Sequence, residues 1–153
     1  MKSAYKVLAY IVAALVVVQS AVMVFAVAGL GIWVDDGGVL DAAAFEDESL
    51  SFTGLAGFMV HGIVGMMVIP LVAIALLVVS FFAGFPGAVR YAAIVLGLVV
   101  LQVALGVFGH ESAYIGLLHG VNALVLFAGA MHTGRVAGKA EVLSADESTP
   151  AAI

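Results

Sequence analysis

Four long apolar stretches fill the chain, at about residues 7–34, 53–82, 88–108 and 113–132, and short polar or glycine-rich segments separate them. Each stretch holds some twenty or more residues. At about 1.5 Å rise per residue, twenty helical residues cross a hydrocarbon core of about 30 Å. Asp35-Asp36-Gly37-Gly38 ends the first stretch by turn chemistry. Ala83-Gly84-Phe85-Pro86-Gly87 and Gly109-His110-Glu111-Ser112 are tight connections that force antiparallel neighbours. The prediction is an all-α fold, a transmembrane four-helix up-down bundle over residues 1–135. Pro70 stands inside the second stretch and is expected to kink it below the level of His61. Residues 136–153 are rich in Ala, Ser and acids, lack apolar periodicity, and read as a disordered cytoplasmic tail.

Composition agrees with a membrane protein. Of 153 residues, 65% are hydrophobic and only 10% charged, with mean hydropathy +1.26, which leaves too little polar surface to cover a soluble globule. The lipid bilayer is therefore the first partner. A net charge of −5 gives no support for nucleic-acid binding. With no cysteine, disulfides, thiolate ligands and iron–sulfur clusters are excluded, and any metal must be held by His, Met or carboxylate.

Charge placement predicts topology. Lys2, Lys6, Arg90, Arg135 and Lys139 all lie at the termini or in the second connection, so the positive-inside rule makes both termini cytoplasmic in a multi-pass protein of the cell membrane. The first stretch is too long for a secretory signal, although Ala26-Val27-Ala28 resembles a cleavage site. The acidic loop, Asp35 to Ser51, lacks the order of a calcium loop and reads as a solvated face.

The candidate chemistry lies in the histidines. An ionisable group within a membrane helix is expensive and is by default functional. His61 lies eight residues after Thr53 and His119 six after Ala113, on helices running the same way, so their depths agree within roughly 5 Å. Two imidazoles at one level on facing helices can serve as axial ligands of one haem b. Gly57 and Gly65, one turn on either side of His61, and Gly116 beside His119 offer room for a macrocycle. Gln102 and Asn122 are interior amides that could bond the free ring nitrogen of an axial histidine. The competing reading makes the small residues ordinary packing and leaves His61 bonded to Asn122 or Gln102. His110 reads as a solvated turn residue. His132 lies 13 residues beyond His119, and the matching depth on the second helix holds Ile74, so it has no histidine partner.

Leu101-Gln102-Val103-Ala104-Leu105-Gly106, followed by Leu118-His119, resembles the Gln-x-x-Leu-Gly and Leu-His pattern of haem A synthase. That family fuses two four-helix halves, each with a histidine pair on its second and fourth helices; the resemblance implies that this chain is one such half. Ala28-Gly29-Leu30-Gly31 and the Leu118-His119-x-x-Asn122-Ala123-Leu124 segment also resemble a family of short four-span bacterial and archaeal membrane proteins. Where the catalytic half of haem A synthase has a glutamate and an arginine around its helix 2 histidine, this chain has Phe58 and Gly62. The expected function is a membrane b-type haem protein with His61 and His119 as ligands, in electron transfer or haem handling linked to respiration, with a redox partner or quinone. Two alternatives stand beside it: a haem A synthase-like monooxygenase working as a homo-oligomer of half-length chains, and a haem-free structural protein or complex subunit.

Overall fold

The computed structural model describes residues 1–44 and 49–146. Four helices long and apolar enough to cross a membrane make up nearly all of it: α1 (Lys2–Asp35), α2 (Leu55–Ser80), α3 (Ala88–Phe108) and α4, which spans Ala113–Asp146. They form the expected up-down bundle. Around its square, α1 packs on α2 and α4, and α3 packs on α2 and α4, while the diagonal pairs make at most trace contact.

The predicted end of α1 is a Schellman motif. Gly37, at φ +100°, sends its N–H to the Val34 carbonyl, and the Gly38 N–H returns to the Trp33 carbonyl, each at 3.0 Å. Trp33 then stacks on Phe52 at a ring-centre distance of 5.8 Å, tying the loop back to the helix end. Gly54, at φ +97°, opens α2 where its backbone crosses that of α1 near Phe25 and Ala26; no side chain fits there in that conformation.

At the end of the bundle that holds the termini, the core is tight. Ala9, Val12 and Ala13 of α1 meet Ala73 and Leu76 of α2, Ala88, Ala92 and Val95 of α3, and Leu126, Ala130 and Ala137 of α4, all buried. Tyr5 closes this end, with its ring edge-on to Phe85 at 5.2 Å and its O–H donating to the Ala88 carbonyl at 2.9 Å. Toward the loop end the bundle opens. The first half of α2, Leu55–Ile63, packs substantially on α1 alone, and only the second half, Ile69–Ser80, touches both α1 and α3.

Between these halves lies a π turn, Val64–Val68, in which the Ile69 N–H bonds the Val64 carbonyl five residues back. Pro70 follows directly. It has no N–H to offer the Met66 carbonyl, and its ring would clash with that group, so the helix widens upstream rather than breaking. The turn also sets phase. Gly57 and Ile69 are both buried, yet in an unbroken α-helix twelve residues would put them about 120° apart. One extra residue in a π turn takes back about 100° and puts Gly57, His61 and Ile69 on one stripe.

The tail requires a correction. Instead of ending at 132 and leaving 136 onward disordered, α4 continues to Asp146. Gly134 is not a helix stop: it is buried because the Tyr10 ring of α1 lies on it, and a Cβ there would fall 2.6 Å from Tyr10 Cε1. Ala137 is fully buried, and Glu141 binds Lys6 and Ser3, while Lys2 reaches the Ala140 carbonyl at 3.3 Å. The first turns of α1 therefore give the extension something to pack on. Residues 147–153 of the predicted tail, and Glu46, Asp47 and Glu48 of the acidic loop, lie outside the described residues.

Candidate functional site

His61 of α2 and His119 of α4 come together across the open half of the bundle, with ring centres 6.1 Å apart and planes inclined by 61°. Both rings are half-buried. Each is held by a glutamine of the preceding helix, through the same pair of bonds.

On one side, His61 Nδ1 lies 3.3 Å from the main-chain carbonyl of Gln19, and the Gln19 side-chain amide donates to the main-chain carbonyl of His61 at 2.8 Å. On the other, His119 Nδ1 lies 3.0 Å from the Gln102 carbonyl, and the Gln102 amide donates to the His119 carbonyl at 3.1 Å. A carbonyl cannot donate, so in each histidine Nδ1 carries the proton and the neutral ring keeps its lone pair on Nε2. That tautomer suits ligation through Nε2. The Nε2 of His61 has no hydrogen-bond partner among the described residues, whereas that of His119 receives the second N–H of the Gln102 amide at 3.1 Å.

The two halves differ at the next residue. Asn122, one turn after His119 and only 7% exposed, donates to Gln102 Oε1 at 2.6 Å and to the Leu98 carbonyl at 3.0 Å. The position one turn after His61 is Val64, so Gln19 Oε1 has no donor; it is the one buried side-chain polar atom without a partner among the described residues. Asn122 therefore acts on His119 through Gln102 and does not touch the ring. The competing expectation that His61 bonds Asn122 or Gln102 is not met, because Gln19 is its partner. Gln19 was passed over in the sequence as one of two polar residues mid-way along α1.

The glycines divide by what surrounds them. A Cβ on Gly57 would lie 2.7 Å from the Val22 carbonyl oxygen and 3.0 Å from Ala26 Cβ, so its small size serves the α1–α2 crossing. A Cβ on Gly65 would lie 2.8 Å from Gln19 Nε2, so this glycine makes room for the clasp. Gly116 is open, with nothing nearer than the Gly109 carbonyl at 3.9 Å. Gly106 was not a predicted site residue, yet the His119 ring lies over it, 3.1 Å from where its Cβ would be. Its signal in the sequence was its place four residues after Gln102, as the glycine of the Gln-x-x-Leu-Gly pattern. His110 is exposed at the loop end, and His132, exposed on α4, packs edge-on against Tyr91 at 5.4 Å, far along the helix from the pair. Among the described residues no three His, Asp or Glu side chains converge as a metal site, so the histidine pair stands as a two-ligand arrangement. No family model, curated protein or solved structure matches this chain.

Proposed function

We propose that the chain is a membrane b-type haem protein in which His61 and His119 supply both axial ligands, and that it transfers electrons or handles haem. The observation that carries this reading is the ring-centre distance of 6.1 Å. A metal ion bonded linearly to two imidazole nitrogens, at about 2 Å each, puts the ring centres about 6 Å apart. Two imidazoles fill only two coordination positions, which suits a metal whose equatorial ligands come from a macrocycle. Bis-histidine haem supplies one-electron chemistry at an iron with no open position.

The chain's own residues do the holding. Gln19 and Gln102 orient the rings through Nδ1 and leave the lone pair of each ring on Nε2, the arrangement that raises ligand basicity and fixes ring angle. With haem bound, Gln102 would give up its bond to His119 Nε2 and could keep its bond to the His119 carbonyl. From residue 51 to 110 the chain has no Asp or Glu, which favours electron transfer or haem handling over oxidation of a haem methyl group. The segregation of the five bases favours both termini in the cytoplasm; reporter fusions at Asp41 and after Lys139 should report opposite sides.

The test is purification with haem supplied, followed by absorption and electron-spin spectra of four single His→Ala variants. Wild type, H110A and H132A should give a low-spin six-coordinate spectrum, and H61A and H119A should lose it. A wild type that takes up no haem, or an H61A variant that keeps the low-spin signal, overturns the reading. The bond from the Gln102 amide to His119 Nε2 favours a second reading, a haem-free polar clasp between helix pairs, which the same spectra separate.

A further inference from the structure

The bundle divides its five bases into two groups of different kind. Lys2 and Lys6 are engaged with the end of α4, through the Ala140 carbonyl and Glu141. Arg90, Arg135 and Lys139 are exposed, and none forms an ion pair among the described residues. These three lie at the same end of the α3–α4 pair. The contact of Tyr91 with His132 fixes the level at which α3 and α4 meet. Arg90 precedes Tyr91, Arg135 lies three residues beyond His132, and Lys139 four beyond that, so His132, Arg135 and Lys139 run along one face of α4. Glu141 lies about 180° round α4 from His132, at 100° per residue, and is taken by Lys6. Arg135 and Lys139 thus stand as like charges one turn apart, a repulsion that a bound anion would relieve.

We infer that this end of the α3–α4 pair binds the phosphate headgroup of an anionic phospholipid, with Arg90, Arg135 and Lys139 as its charged contacts. Lipid is the source the surroundings favour. The bases lie at the end of apolar, exposed helix faces that include Ile94 and Leu101 of α3 and Val125 of α4, which suit acyl chains. Three bases that form no ion pair among the described residues complement the negative charge of a headgroup at the membrane surface.

The inference is independent of haem and is tested on the full chain in detergent by native mass spectrometry, with phosphatidylglycerol and phosphatidylcholine of the same acyl chains. At about fivefold in affinity per base, wild type should retain phosphatidylglycerol about a hundredfold more strongly. The triple variant R90Q/R135Q/K139Q should lose that preference, and R135Q alone should lower it about fivefold, with unchanged helical circular dichroism. K2Q/K6Q, which removes nearly as much charge elsewhere, should leave the preference intact. Equal retention of the two lipids by wild type, an equal loss in K2Q/K6Q, or displacement of the lipid by millimolar inorganic phosphate would overturn the assignment.

Discussion

Gln19 and His61 hold each other by reciprocal bonds, side chain to main chain in both directions, and Gln102 and His119 repeat that arrangement on the other helix pair. The bundle is therefore two helix hairpins with a common clasp, although the chain carries no sequence repeat long enough to announce it. The clasps differ in how fully their polar atoms are used, and the difference can be measured. Gln102→Leu removes two amide donations and leaves Asn122 with the Leu98 carbonyl only. Gln19→Leu removes one donation and at the same time an oxygen that has no partner. Gln102→Leu should thus destabilise by about 1–2 kcal/mol more than Gln19→Leu. Thermal unfolding in detergent, followed by circular dichroism, gives the order; equal costs would refute the accounting.

The unfilled acceptor predicts a gain. Val64 occupies the place in α2 that Asn122 occupies in α4, one turn after the histidine. Val64→Asn should supply Gln19 Oε1 with a donor and raise stability by about 1 kcal/mol. In a Gln19→Leu background the same change should destabilise, since the new amide would itself be unpartnered. The double-mutant cycle must give a coupling of that sign, and additive effects would mean that Val64 does not face the clasp.

Much of this was legible in the sequence, and the exceptions have a common cause. Apolar run length located four spans, and α3 at 88–108 matched residue for residue. Depth counting paired His61 with His119 because both α2 and α4 begin at the loop end. The same counting hid Gln19. Measured from Asp35 it is 16 residues deep, against eight for His61 from Thr53, which separates the two by about 12 Å. In the bundle α1 overshoots: its Gly29 is level with Thr53, so the last six residues of α1 stand clear of α2. The length of α4 escaped the sequence for a related reason. A glycine followed by an arginine reads as a helix end, but here the glycine admits the ring of Tyr10, and nothing local to the sequence announces a partner 124 positions away.

The glycines around the pair should respond to alanine in different ways. Gly57→Ala drives a methyl group into the Val22 carbonyl and should cost about 1–3 kcal/mol by pushing α2 off α1. Gly62→Ala meets nothing within 4 Å and should stabilise by about 0.5–1 kcal/mol through helix propensity. Gly106→Ala presses on the His119 ring, so under the proposed ligation it should lower uptake of supplied haem more than it lowers thermal stability. Melting temperature and haem stoichiometry of the three purified variants are sufficient to check this order.

The π turn yields the sharpest structural prediction. If Val64–Val68 carries one residue more than an α-helix needs to keep Gly57 and His61 in phase with Ile69, that residue can be removed at the turn and nowhere else in α2. Met67 is exposed within the turn, and Val78 is exposed in the regular segment that follows. Deleting Met67 together with Pro70→Ala restores the missing N–H, converts the turn to α-helix, and leaves the Gln19–His61 clasp in register. It should fold with a melting temperature within a few degrees of wild type. Deleting Val78 instead rotates the part of the helix after it by about 100° relative to the π turn and the His61 half, taking Ser80 off the buried stripe. That variant should lose several kcal/mol or fail to fold. With both deletions made in the Pro70→Ala background, each shortens α2 by one residue of similar character, so the comparison isolates phase from length. A Met67 deletion as damaging as the Val78 deletion would show that the π turn is a by-product of Pro70 and does not set the direction of His61.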